Sequence, residues 1–465
     1  MHRARLLAPL ALLLALLIPA ATIAATPAPR AATDVPQLRE FQLTVARSQW
    51  EIAPGQFVDA FTYNGTVPGP QLRVTEGDTV RVTVTNALDE STTVHWHGVE
   101  LPLSMDGVPG LSQEPIAPGG SFVYEFVATR AGTRWYHSNF KELSQQGSGL
   151  FGALIVDPRP IEAEPPVDRD YVVFANEWVT AVAPADGHDE HGGHDGGGAG
   201  MGRPTYDAFP INGKVYPYTD PLMVREGERV RLRLINSGAI ETQKLVLPGH
   251  QLAITHTDGN RLGTPLPAEA LLLGAGERAD VEFVADNPGR WQLRSLMPGH
   301  FEGGMAVDVV YEGHEADAPL GLPPGARPRA ATYLEMAGPP HPEPADQTFD
   351  MTLSDQLASG DFWTINGERY PNTTPMNVQA GERVRLRLIN LSAEDHPMHL
   401  HGHTFQVVAV GEQPIDGPLK DTLNLRYQES YDVEFEANAD PGVWLFHCHN
   451  IVHMGGGMTV ELRYR

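Results

Sequence analysis

The chain has almost no cysteine: its 465 residues hold one, Cys448, which excludes an intramolecular disulfide. Basic residues are also scarce. The 33 Lys and Arg stand against 58 Asp and Glu, a formal net charge of −25 that argues against nucleic acid or an anionic membrane surface as partner. Long apolar runs are missing apart from Leu6 to Ile18, which is too short for a comfortable membrane span. Long helical periodicities are few as well. What the chain does have is punctuation, 47 Gly and 40 Pro, separating short alternating segments.

At the N-terminus, Arg3 and Arg5 precede that apolar run, and small Thr22 and Ala24 follow it. This layout predicts a secretory signal peptide over residues 1–24, of the Sec type because Ala4 separates the two arginines. The mature chain is then expected to be soluble and exported, to the periplasm or outside the cell. It is long enough for two to four domains.

Internal repeats organise the rest. GERVRLRLIN occurs at 227–236 and again, letter for letter, at 381–390, and GDTVRVTVTN at 77–86 is a diverged copy. Each follows an Asn-Gly pair: Asn64-Gly65, Asn212-Gly213 and Asn366-Gly367. The alternation in VRVTV and VRLRL, Val or Leu inward and Thr or Arg outward, has the period of a strand with one buried face. We therefore expect an all-β chain of three consecutive Greek-key β-sandwich or barrel domains, over residues 34–157, 171–312 and 330–465. Pro-rich stretches at 158–170 and 315–330 mark the joints. A His/Gly-rich loop at 187–202 interrupts the middle unit and cannot bury a core.

The histidines sort by unit. Of the 19, two lie in HWHG (His95, His97) and one in WYHSN (His137), and seven lie in HPMHLHGH and HCHNIVH of the third unit. The middle unit reads WQLRS where the first reads WYHSN, so a metal centre would be built between the first and third units with the middle one a spacer. On a strand, residues two apart share a face at ~6.5 to 7 Å, so an HxH pair can serve two neighbouring metals. Four such pairs would supply imidazoles for about three ions. In HCH the same alternation sends His447 and His449 one way and Cys448 the other, so Cys448 serves a different metal. A thiolate, two imidazoles and a distant thioether make a blue-copper electron-transfer site, for which His396, His453 and Met458 are candidates.

HWHG, WYHSN, HPMHLHGH and HCHNIVHMGGGM, in this order and with the threefold repeat, resemble the three-domain multicopper oxidases, of the bacterial laccase and cuprous oxidase type. The resemblance covers essentially the whole mature chain. It implies cupredoxin-like domains and up to four coppers: type 1 on His396, Cys448 and His453 with Met458 axial, and type 2 on His95 and His399. One type 3 copper would take His97, His137 and His449. The other would take His401, His447 and the position occupied by Asn139. His403 matches a position that is usually not a ligand.

The activity implied is one-electron oxidation of a small reducing substrate, with electrons passing through Cys448 to His447 and His449 and O2 reduced to water. Phenols and aromatic amines are the laccase substrates, and cuprous, ferrous or manganous ions the metallo-oxidase alternative. Asp106 matches an acidic position associated with proton relay, against an ordinary Asp-Gly turn; a Glu common in bacterial members is replaced here by Met454. His188, His191, His194 and Met201 could gather copper ions. Asn139 is the main departure, since an amide is a poorer copper ligand than imidazole. A natural variant, an engineered change and a degenerate site all fit that letter. An exported copper-binding or copper-tolerance protein with little turnover is the alternative to an oxidase.

Overall fold

A computed structural model describes residues 35–160, 164–180, 204–340, 343–355 and 362–465. The expected signal peptide and the His/Gly-rich loop fall outside the described residues. Among those described, regular secondary structure is almost wholly strand; helix is confined to short turns such as Glu142–Gln145, Tyr333–Met336 and Ile451–Gly455. No helix among them is long and apolar enough to cross a membrane.

The three copies of the repeat form equivalent strands, Thr79–Asn86, Arg229–Asn236 and Arg383–Asn390. Each is parallel to the strand that opens its unit (Leu38–Ala53, Arg169–Ala175, Gln347–Asp355). Each is antiparallel to a later one (Ser121–Val127, Arg278–Val284, Ser430–Glu436). The Asn-Gly pairs turn with both residues at positive φ, Asn64 at 54° and Gly65 at 78° in the first unit, which is the backbone of a type I′ hairpin.

The asparagine that ends each repeat is buried and does the same work three times. Asn86 Nδ2 donates to the carbonyls of Glu90 and Ile116, Asn236 Nδ2 to those of Glu241 and Leu273, and Asn390 Nδ2 to those of Glu394 and Leu425. Each bond pair ties the loop after the repeat to a later segment of its unit, which in the middle and third units is a strand of the second sheet (Leu271–Leu273, Thr422–Leu425). In the first and third units that loop leads straight to the histidine strands.

The expected outward arginines hold in the third unit but not in the middle one. Arg231 and Arg233 are buried, paired with Glu282, Asp170 and Asp280. Arg233 also donates to Thr133 Oγ1 of the first unit. That face of the middle sheet is covered by its neighbours, so charge pairing replaces solvent.

One apolar core runs through the first and third units, including Val82, Trp96 and Tyr136 from one and Leu386, Trp444 and Phe446 from the other. The middle unit has its own core around Leu232, Leu245 and Val281. Trp96 and Trp444 are fully buried, and truncating either to Ala would cost about 3 to 5 kcal/mol. This shared core holds the two histidine-bearing sheets against each other.

Candidate metal centre

In the first unit the strand His95–His97 runs antiparallel to Gly132–His137, with His95 opposite His137. In the third, His396–Leu400 runs antiparallel to Val443–Cys448, with His399 opposite His447 and Met398 opposite Cys448. Residues opposite each other project to one face, so each pairing gathers imidazoles on one side. The two sides meet: the rings of His97 and His399 stack at 3.8 Å and 15°, and those of His95 and His401 lie 4.0 Å apart. His449, just past its strand, lies 5.3 Å from His137 and 5.0 Å from His97. All seven rings are buried.

The partners of these rings fix their protons. Nδ1 of His95 donates to the Asp106 carbonyl, of His399 to the Asp421 carbonyl and of His401 to Asp106 Oδ2, each at 2.8 Å. His137 Nδ1 donates to the Ser138 carbonyl at 3.0 Å, and His447 Nδ1 to the Cys448 carbonyl at 2.9 Å. All five rings therefore keep a bare Nε2 lone pair. His97 is reversed: its Nε2 faces Asp421 Oδ1 at 3.0 Å and Thr422 Oγ1 at 2.9 Å, leaving Nδ1 bare.

These lone pairs point at one another. His95 Nε2 lies 3.4 Å from His399 Nε2, and His401 Nε2 lies 3.0 Å from His447 Nε2. With both protons of each pair engaged elsewhere, no hydrogen bond joins them, and a cation is what such an arrangement accepts. His97 Nδ1, His137 Nε2 and His449 Nδ1 are buried without partners. Burial, then the Arg278 guanidinium beside His97 and the neighbouring imidazoles around all four, push His97, His137, His399 and His447 well below the ordinary histidine range. Burial lowers His449 to about 3.

Cys448 points the other way. Its Sγ lies 3.7 Å from His396 Nδ1 and 3.6 Å from His453 Nδ1, and those two nitrogens are 3.0 Å apart. His453 Nε2 donates to Glu394 Oε2 at 2.6 Å and His396 Nε2 to Ser392 Oγ at 2.5 Å, so both Nδ1 atoms are bare. His396 is lowered to about 2 by burial and by His453, while burial pushes the Cys448 thiol up.

Family models described as multicopper oxidase match residues 44–161, 169–314 and 341–465. The Multicopper oxidase MmcO of Mycobacterium tuberculosis is 34% identical over 439 residues, which is 88% of this chain and 84% of that one. The chain is a multicopper oxidase. A copper resistance protein A homolog of Pseudomonas syringae is 28% identical, over 91% of this chain and 92% of that protein. The crystal structure of a multi-copper oxidase from Pseudomonas thermotolerans superposes with a TM-score of 0.73 at 29% identity, covering 93% of this chain and 100% of that one. A laccase from Botrytis aclada gives 0.75 at 26% identity, covering 93% and 88%.

As a multicopper oxidase, the protein is a copper-dependent oxidoreductase that takes type 1, type 2 and type 3 coppers and uses O2 as acceptor. It couples one-electron oxidation of a reducing substrate to four-electron reduction of O2 to water. The donor sets suit copper: a thiol among two bare imidazole nitrogens on one side, and polyimidazole clusters on the other. Bound there, copper supplies one-electron redox steps that no side chain of the chain can provide.

Around these rings the oxidase carries groups that sequence reading missed. Asp421 is buried; burial alone would raise its carboxyl, but the guanidinium of Arg278, at 2.6 to 2.7 Å from both oxygens, holds it below the usual carboxylate range. Arg278 belongs to the middle unit, and so does Asp258, whose Oδ2 accepts from the backbone of Asp421 and Thr422. The middle unit is thus not a mere spacer: it closes the back of the histidine cluster. Glycine makes this approach possible. Gly98 of HWHG has φ +79°, and a Cβ there would stand 2.4 Å from Arg278 Nη2 and 2.6 Å from Asp421 Oδ2. Nothing local in the sequence marks Asp421 or Arg278, because their partners lie 143 residues apart.

The remaining candidates also have places. Asp106 is buried between His95 and His401; burial would raise its carboxyl, and the imidazoles of His401 and His95 outweigh that and hold it low. Met458 is buried, its backbone N–H donating to the His453 carbonyl and its own carbonyl accepting from Cys448 N. His403 turns away to Tyr464, whose hydroxyl is 2.5 Å from its Nε2. Asn139 is buried two residues past the end of its strand, and among the described residues its side chain makes no hydrogen bond.

Proposed function

We propose that His396, Cys448 and His453, with Met458, would hold the type 1 copper, and that His95 and His399 would hold type 2. One type 3 copper would be held by His97, His137 and His449, the other by His401 and His447 with Asn139 at the third position. The observation that carries this reading is the set of bare nitrogens: 3.0 Å between His396 and His453 Nδ1, 3.4 Å between His95 and His399 Nε2, and 3.0 Å between His401 and His447 Nε2. Cys448 lies between the two groups, bonded through its own backbone to His447 and His449 on either side, so the electron path crosses only a few covalent bonds.

Electrons enter at His453. Glu394, whose carboxylate holds His453 Nε2, keeps 31% of its side chain exposed and so presents a negative acceptor beside a redox ligand. Such a group favours donors that carry positive charge or surrender a proton as they are oxidised. Low-valent metal ions and phenols or aromatic amines both meet that requirement. Asp106, between a type 2 and a type 3 ligand, is positioned to hand protons to reduced oxygen. The N-terminal pattern supports export, which puts the enzyme where its substrates are extracellular or periplasmic.

Replacing Asn139→His tests the assignment. Copper content should rise towards four per chain, or turnover should increase, with type 1 absorbance unchanged. If both stay unchanged, position 139 is not a ligand position.

A further inference from the structure

His453 has Cys448 Sγ on its Nδ1 edge and Glu394 on its Nε2 edge, and its face is covered by Trp363. The indole, from the strand Trp363–Ile365, stacks on the imidazole with ring centres 4.4 Å apart and planes 25° from parallel. Both residues are buried, Trp363 at 6% and His453 at 1% exposure, while Glu394 keeps 31% of its side chain exposed. Gly456, just past the helix Ile451–Gly455, leaves the space for this contact: a Cβ there would stand 2.5 Å from Trp363 Cε3. Arg369 fastens the same segment. Its Nε donates to the Gly456 carbonyl at 3.1 Å, and its guanidinium lies 3.7 Å from the centre of the Phe362 ring.

Packing alone does not account for a tryptophan at this place. Its Nε1–H is buried and finds no acceptor among the described residues, a defect that phenylalanine would avoid. What the indole supplies is area, because two fused rings cover more of the imidazole than one. Water stabilises the more highly charged form of a redox site, which for a copper thiolate centre is the oxidised form. Excluding water from a ligand's face therefore favours the reduced form and raises the potential.

We propose that Trp363 is a positioning residue for electron entry: its indole fixes the His453 ring, keeps water from that face and so holds the type 1 site at a higher reduction potential. With the face covered, the Glu394 edge is the side on which an electron donor reaches the ligand. This role rests on the assignment of His396, Cys448 and His453 to type 1 copper. It is independent of which substrate is oxidised.

The test is redox titration of the blue absorption of the copper-loaded protein against the ferrocyanide/ferricyanide couple, under argon so that no turnover occurs. Trp363→Ala should keep the blue band and the type 2 resonance signal while its equilibrium moves about tenfold towards the oxidised form, a potential about 59 mV lower for one electron. Trp363→Phe, which keeps a flat ring, should recover most of that shift. Where Trp363→Ala fails to fold, Trp363→Gln puts a polar chain in the same space and should give the same lowering. An unchanged potential in a blue Trp363→Ala or Trp363→Gln protein would overturn the proposal, as would an equal loss in Trp363→Phe or an altered type 2 signal. The underlying type 1 assignment fails separately, through a blue band that survives Cys448→Ser.

Discussion

His401 shows how one side chain is made into a ligand. Its Nδ1 proton is committed to Asp106, its Nε2 faces His447, and burial keeps it neutral. Asp106 does two things at once, since its backbone carbonyl orients His95 and its carboxylate orients His401. Asp106→Asn preserves the shape and an acceptor but removes the charge and the capacity to take up and release a proton. Turnover should fall by about tenfold or more, within the range general acid catalysis supplies, while type 1 absorbance and substrate oxidation under argon persist. Unchanged oxygen consumption across pH 5 to 8 would show that Asp106 moves no proton in the slow step. Asn139 is the counter-example: the sequence displays the missing imidazole plainly, and among the described residues the amide makes no hydrogen bond.

At the level of elements, the same strand-and-loop device serves all three units, and the terminal asparagine of each repeat aims the following loop. That repetition was legible, because Asn-Gly turns and strict alternation are local signals. The HxH and HCH spacings were legible for the same reason: strand geometry alone sorts Cys448 from His447 and His449. Asp421 and Arg278 were not, because what defines them is contact across units, and Glu394 was not, because its partner His453 lies 59 residues further on in the same unit. The outward arginine of VRLRL also failed in the middle unit, where two neighbours cover a face that would otherwise be wet. Gly98 joins these levels. Gly98→Ala forces a positive φ on a side chain and wedges it into the Arg278–Asp421 pair, a disruption of about 3 kcal/mol or more. Type 2 and type 3 copper should be lost and the unfolding midpoint lowered, with type 1 absorbance retained in the folded fraction. Wild-type copper content and midpoint in this variant would mean that the junction tolerates the shift.

Across the whole molecule, the histidine clusters are both the function and a liability. In the metal-free protein His97, His137, His399 and His447 are held well below the ordinary histidine range, with His396 near 2 and His449 near 3. Unfolded chains take up these protons near pH 6.5 while the folded chain does not, so stability is present above that pH and is lost as the solution is acidified. Each such ring costs about 2 kcal/mol between pH 6.5 and pH 5, and several together rival the stability of a domain. The metal-free protein should therefore melt far lower at pH 5 than at pH 7.5, whereas the copper-loaded protein, with its lone pairs engaged, should shift less. Equal shifts would place the pH sensitivity elsewhere. In the proposed assignment, bare, opposed nitrogens in two groups joined through Cys448 hold distinct coppers. Copper content measured with optical and paramagnetic resonance spectra, for wild type and Cys448→Ser, tests it most directly. The substitution should remove the blue absorption and its narrow-hyperfine signal, together with about one copper, and leave the type 2 signal in place. Loss of both signals together, or survival of the blue band, would contradict it.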